Sequence, residues 1–222
     1  GDFFFSINTK LPMGATIEGD RTIFRLFAPR ASEVSLHLSQ KVSEGAANQV
    51  IAMQRNTDEP YVWETICDSN MHEWYYWYQL DGVSDKSGAF DPNFRVLDPF
   101  ALATVCRDGP GIVIDRSTLG LGDRSFATPD WQDLIMAEAH VRDLAAKAPI
   151  KATPRERRGF TGLRKWVESP EFYLHHLGVN CVELQPIQEF DNESREEYHW
   201  GYMTVNWFSP ASAYAMEPEK AS

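Results

Sequence analysis

The chain has 222 residues, 43% of them hydrophobic and 24% charged, and a formal net charge of −11. That composition suits one large or two small folded domains. The acidic balance argues against nucleic acid and against anionic membrane surfaces, both of which are held by basic patches, but is compatible with a neutral polymer.

No run approaches the roughly 20 apolar residues of a membrane span, and no signal peptide is visible; the chain starts at Gly1 rather than Met, which leaves a removed leader open. The three cysteines (Cys67, Cys106 and Cys181) are odd in number and irregular in spacing. They spell neither a disulfide framework nor a zinc site. Cys67 and Cys181 fall in apolar strand patterns and are expected as buried thiols in a reducing, cytoplasmic setting, with no metal and no cofactor. The aromatic fraction of 13%, with seven Trp, exceeds what a core needs. Indole faces serve as stacking platforms as well as core.

In chain order, residues 1–17 read as extended and apolar, punctuated by Pro12 and Gly14. From Thr22 the pattern is β: Phe24, Leu26 and Ala28 alternate with Ile23, Arg25 and Phe27, and Pro29 ends the run. Val34, Leu36 and Leu38 share one face of the next strand. A polar loop is expected over residues 41–49, a short strand over 50–53 and a turn over 56–60. Tyr61, Trp63, Thr65 and Cys67 alternate in a further strand. Residues 74–80 form another, with Trp74, Tyr76 and Tyr78 on one face and Tyr75 and Trp77 on the other. Short strands separated by turn signals predict a β-sandwich. Residues 116–130 are rich in Gly, Ser, Thr, Pro and Asp and read as a linker.

Beyond the linker, Leu134–Val141 reads as a strand and 144–158 as a solvated basic loop. Leu163, Trp166 and Val167 have helical spacing. Ser169 with Pro170 reads as the cap and first position of a second helical turn, and Gly178 as its C-cap. His175 and His176 are adjacent and point to different faces, so a shared metal site is not expected. The apolar run Val179–Leu184 reads as a fully buried strand ended by Gln185-Pro186. It opens onto an acidic loop that closes on Tyr198, Trp200 and Tyr202. A parallel α/β sheet presents a binding site in this way.

The runs ELQPIQEF (183–190) and HWGYMTVNWFSPASAYA (199–215) resemble the second barrel strand and following loop of the alpha-amylase superfamily of glycoside hydrolases, in particular its debranching enzymes. EAHVRD (138–143) resembles the first barrel strand of pullulanase-type members, with Ala137 where that family often carries Tyr. GATIEGDRTIFRLFAPRASEVSLHL (14–38), VWETI (62–66), YYWYQL (75–80) and VLDPFA (96–101) look like the isoamylase-type N-terminal sandwich, a carbohydrate-binding-module-like domain of immunoglobulin type. The resemblance implies a β-sandwich over 1–115, a linker over 116–130, and over 131–222 the start of a (β/α)8 TIM barrel, truncated after about two strands.

The resemblance also implies a substrate, an alpha-glucan (glycogen, starch or pullulan), and a reaction, most simply alpha-1,6 debranching. Glycoside hydrolysis needs two carboxyl groups, about 5–5.5 Å apart for retention. The family's come from later strands, so no catalytic residue is assigned within this chain, and Glu183, Glu189 and Asp191 match no catalytic position. The chain alone is expected to be inactive, a candidate partner being the remainder of its own barrel. Tyr202 matches the aromatic that stacks on sugar at the cleavage subsite, with Met203 replacing a residue that is usually Asn or Asp. Trp200, Trp74 and Trp77 are further candidates for sugar contact. His140 is expected to pack or hydrogen-bond rather than bind metal. The alternatives are a non-catalytic glucan-binding or regulatory module, a glycogen branching enzyme fragment, and a remnant completed by a partner chain.

Overall fold

The computed structural model describes residues 6–42, 47–86, 88–120, 122 and 125–220. The extended opening expected over 1–17 therefore lies outside the described residues at 1–5, the polar loop at 43–46 and the linker at 121, 123 and 124.

Among the described residues, eight strands make up the N-terminal half: β1 (Gly14–Glu18), β2 (Arg21–Phe27), β3 (Ala31–Ser39), β4 (Gln49–Ala52), β5 (Gln54–Arg55), β6 (Val62–Cys67), β7 (Tyr75–Gly82) and β8 (Gly111–Ile112). They form two antiparallel four-stranded sheets, in the orders β1-β2-β6-β5 and β4-β3-β7-β8. Period-2 alternation drives the packing. Phe24, Leu26 and Trp63 from the first sheet meet Val34, Leu36, Leu38, Tyr76 and Tyr78 from the second in one core. Burial of each such side chain contributes about 1.5–3 kcal/mol, so this two-sheet arrangement is a sandwich by construction. The turn after β5 is fixed by Asn56, whose Oδ1 accepts from the Asp58 and Glu59 amides, both at 3.0 Å.

Asp98 is buried between the sandwich and the C-terminal half of the chain. Its carboxylate accepts from Tyr76 Oη at 2.9 Å, Tyr78 Oη at 3.4 Å and the Phe100 amide at 2.8 Å. Burial raises its pKa from 3.8 to about 6, although these hydrogen bonds pull the other way. The Asp98 carbonyl accepts from Asn206 Nδ2 at 2.9 Å. Phe100 stacks on Phe208 with centroids 5.3 Å apart, and Arg195 Nη2 donates to the Val105 carbonyl at 3.0 Å. Tyr75 Oη donates to the Glu219 carbonyl at 2.5 Å. The two halves of the chain are thus joined by one buried polar bond, at Asp98, by two more exposed ones and by ring contact.

The C-terminal half contains β9 (Met136–Ala139), α1 (Val141–Ala146), α2 (Phe160–Val167), α3 (Tyr173–His176), β10 (Cys181–Leu184), β11 (Gln188–Phe190) and β12 (Thr204–Pro210). β9 and β10 pair in parallel, Met136 opposite Cys181 and Ala139 opposite Leu184; β11 and β12 pair antiparallel. Leu144, Trp166, Phe172 and Leu174 pack together beneath the parallel pair, with Leu184 against them.

Several expectations are corrected. The strand predicted over Leu134–Val141 covers only Met136–Ala139, and helix α1 begins at once, so part of the supposed basic loop is helical. Within the rest of that segment, Arg157 is tied to the carbonyls of Ala145, Ala148 and Ile150, at 3.1, 2.8 and 2.6 Å. Ser169 does not cap a helix: its Oγ accepts from the Glu171 amide within a turn, and α3 starts at Tyr173. Gly178 ends α3 with φ +75, as a C-cap glycine does. The strand expected to be fully buried is not: Val182 is 37% exposed and its partner strand's Met136 is 54% exposed. Met136 and Cys181 lie on the face opposite the helix-packed Ala137, Ala139 and Leu184, whereas Val182 shares the helix face and lines an open cavity beside Leu144, Leu163 and Leu174. Cys181 is accordingly half-buried while Cys67 is buried, and all three thiols are free. Among the described residues no helix is long and apolar enough to cross a membrane.

Candidate functional site

The site is assembled where β9 passes into α1. His140 is the residue before the helix, and its Nδ1 accepts from the Arg142 amide at 3.2 Å, so a histidine fills the N-cap role. With Nδ1 accepting, Nε2 carries the proton. It donates to the His199 carbonyl at 3.0 Å and lies 3.0 Å from Tyr214 Oη. The expected hydrogen-bonding histidine is thus buried and anchors the aromatic loop.

Arg142 does more. Its buried guanidinium donates through Nε to the Arg158 carbonyl at 3.2 Å. Nη1 reaches the Glu196 and Glu197 carbonyls at 3.2 and 2.5 Å, and Nη2 the Arg195 carbonyl at 2.6 Å. It also lies 5.4 Å from the centroid of the Tyr214 ring. A cation out of water is held here by carbonyl dipoles rather than by a carboxylate; burial lowers its pKa. Asp143 then accepts from Tyr198 Oη at 2.7 Å, which raises the tyrosine's pKa. His140, Arg142 and Asp143 therefore hold one face each of the loop 195–199.

The loop's far side is pinned by Gly201. Its amide donates to His199 Nδ1 at 2.8 Å, and the His199 ring stacks on Phe190 at 4.9 Å. Gly201 has φ +86, and a Cβ there would stand 2.3 Å from the Pro186 carbonyl oxygen, so no other residue fits without displacement. With its base fixed on both sides, the loop presents Trp200, 59% exposed, Tyr202, 63% exposed, and Met203 to solvent. Two large exposed rings thus stand two residues apart on a clamped backbone.

The two tryptophans of the sandwich are not part of this surface. Trp74 is partly buried against the sandwich core. Trp77, placed on the face opposite Tyr76 and offered as a sugar contact, is buried: His37 stacks on it at 5.5 Å and the Arg95 guanidinium lies 4.7 Å from its ring centroid. As an open platform it is blocked. It instead forms the floor of a cavity of about 410 Å³, walled by Phe94, Arg95, Arg107, Asp108 and Pro110. Arg107 reaches out of this cavity to bond Asp191, the residue whose amide donates to the Met203 carbonyl at 2.8 Å. One arginine thus links the cavity to the aromatic loop. Arg107, Arg142 and Asp143 were not legible as site residues, since their partners lie far off in sequence; nor were Phe94 and Gly201.

The acidic groups near the loop are engaged in structure. Glu189 is buried and accepts from the Ser212 amide at 2.5 Å and Ser212 Oγ at 3.0 Å. Burial raises its pKa. Asp191 is paired with Arg107. Glu138 and Glu183 lie side by side in the parallel register, with Gln185 Nε2 donating to Glu138 at 3.3 Å. Among the described residues no group of His, Cys, Asp and Glu is placed to hold a metal.

Residues 12–101 match the family described as carbohydrate-binding module 48 (isoamylase N-terminal domain). Over 234 residues the chain is 29% identical to a chloroplastic isoamylase 1 of Oryza sativa subsp. japonica, covering 92% of this chain and 28% of that protein. It is 28% identical over 237 residues to a glycogen debranching enzyme of Dickeya chrysanthemi, covering 92% and 34%. The crystal structure of a pullulanase complexed with maltotriose, from Anoxybacillus sp. LM18-11, superposes with a TM-score of 0.80 at 23% identity, over 99% of this chain and 31% of that one. The chain spans only about a third of the length of these relatives. Residues 12–101 thus match the carbohydrate-binding module 48 family, the isoamylase N-terminal domain, and the chain as a whole is similar to isoamylases, pullulanases and glycogen debranching enzymes.

Proposed function

We propose that this chain is the N-terminal portion of an alpha-glucan debranching glycosidase, with a glucan-binding sandwich over 1–115, a linker over 116–130 and the start of a (β/α)8 barrel over 131–222. The observation that carries this reading is the clamped loop with Trp200 and Tyr202 exposed beyond the C-terminal ends of the parallel pair β9 and β10. Ligand sites of parallel α/β folds lie at that end of the strands. A pyranose is flat, with C–H edges that stack on aromatic rings and hydroxyls that need donors and acceptors. Tyr202 and Trp200 supply the rings. The relatives' names, glycogen debranching enzyme and pullulanase among them, support a glucan substrate; in this reading the reaction is alpha-1,6 debranching and the catalytic carboxylates belong to later strands.

A second reading, that the chain acts as a glucan-binding module without chemistry, is favoured by the cavity over Trp77. There Phe94 offers an exposed ring, and Arg107 with Asp108 offers a donor and an acceptor side by side. The same titration tests both. Maltohexaose added to the purified chain should change tryptophan fluorescence saturably, and Tyr202→Ala should weaken it by about 10-fold, the scale of one lost aromatic contact. Release of reducing ends from pullulan by the 222-residue chain would overturn the placement of the carboxylates outside it. Absence of any saturable response would sink glucan recognition at both places.

A further inference from the structure

A second cavity, of about 490 Å³, lies away from the exposed aromatics, on the other side of the loop 195–199. Its wall contains Arg155, Arg158 and Arg195, with Ser212 and Tyr214, and Glu196 as its acidic member. In a chain of net charge −11 a concave surface with three guanidiniums against one carboxylate departs from the average of the molecule. Two of the three are oriented by backbone carbonyls: Arg155 donates to the Met216 carbonyl, and Arg195, which also feels the buried Glu189, to the Val105 carbonyl at 3.0 Å. Carbonyls orient a guanidinium but leave its full charge in place.

Arg158 is the exception. Among the described residues its guanidinium has no hydrogen bond or ion pair, while its own backbone carbonyl accepts from Arg142. Its charge faces the buried Arg142, whose pKa is lowered first by burial and then by Arg158. The acidic groups that face the cluster are Glu196 on the rim and Glu189 behind Ser212, and Glu189 is already bonded to that serine. Like charges brought together in a concavity carry a cost that an anion with several oxygen acceptors removes.

We propose that this three-arginine cavity is a binding site for a phosphate group, either inorganic phosphate or the phosphoryl group of a small sugar phosphate. Phosphate oxygens match the fork of a guanidinium better than a carboxylate's two oxygens match three such forks. The cavity is large enough for a monosaccharide ester as well as the free ion. The site is separate from the glucan-binding reading and does not depend on it.

Titration of the full chain with inorganic phosphate and with glucose 6-phosphate, followed by calorimetry at low ionic strength, tests the proposal. A saturable response is expected, weakened about 10-fold or more in Arg158→Ala, and weakened by added salt. Tighter binding of glucose 6-phosphate than of phosphate identifies the ester as the occupant; equal or weaker binding identifies the free ion. Arg158 is exposed and contributes no core contact, so the variant should unfold at the wild-type temperature; Arg155→Ala gives a second, independent variant. A non-saturating response, or the same affinity in wild type and both variants, overturns the proposal. Maltohexaose binding is measured in the same samples, so failure here is distinguishable from failure of glucan recognition.

Discussion

Arg142 Nη1 donates to the Glu197 carbonyl at 2.5 Å, across 55 residues of chain. With its other three bonds this makes one side chain the hub of the aromatic loop. Arg142→Lys keeps the charge but has no planar fork, so it can serve only part of the carbonyl set. The expected result is a loss of about 2–4 kcal/mol in stability, in the range for breaking a buried charged network. Faster hydrogen exchange confined to residues 195–203 would report the loop's release. Unchanged exchange there would mean that the loop is held by something else.

Gly201 and Gly19 both have positive φ, at +86 and +61. They differ in what a methyl group meets: the Pro186 carbonyl at 2.3 Å for Gly201, and open space for Gly19. Gly19→Ala should therefore cost only the backbone term, about 1 kcal/mol. Gly201→Ala should cost about 3 kcal/mol or more, because backbone must also shift, and it should reduce glucan binding with it. Equal losses from the two substitutions, measured by chemical denaturation, would rule out the Pro186 contact as the cause.

Asp98 makes a pH prediction. Its carboxyl is raised from 3.8 to about 6 in the folded chain, chiefly by burial. The folded state therefore holds this proton more tightly than the unfolded state does. Below about pH 4 both states are protonated and the group is neutral to stability. Between about pH 4 and 6 the unfolded chain ionises first and stability falls, by up to about 3 kcal/mol, after which the loss is complete. Asp98→Asn removes this titration. The wild type should lose stability relative to Asp98→Asn as pH rises through that window, and a difference independent of pH would refute the assignment.

The sandwich was readable because its code is local. Phe24 and Leu26, or Val34, Leu36 and Leu38, declare their shared face two residues at a time, and each is in the core. What alternation cannot state is what covers the other face. Trp77 obeyed the period and was still buried, because His37 from the neighbouring strand and Arg95 from a later loop close over it. The junction at His140 failed for a related reason. Histidine is not among the residues preferred at helix starts, so nothing marked α1, and the strand was drawn two residues too long at each end. Trp200 and Tyr202 stood out as a cluster. Their supports did not, since Arg142 binds backbone carbonyls, which carry no residue identity to read.

Both four-stranded sheets lie within residues 14–112, and among the described residues the core between them draws on nothing beyond Val113. During vectorial synthesis the sandwich can therefore fold on the ribosome while everything after it is still being made. When the later segment emerges, the Asp98 carbonyl and the Phe100 ring are already in position to receive Asn206 and Phe208. The sandwich then acts as an intramolecular template on which the parallel strands, too few to stabilise themselves, are laid down.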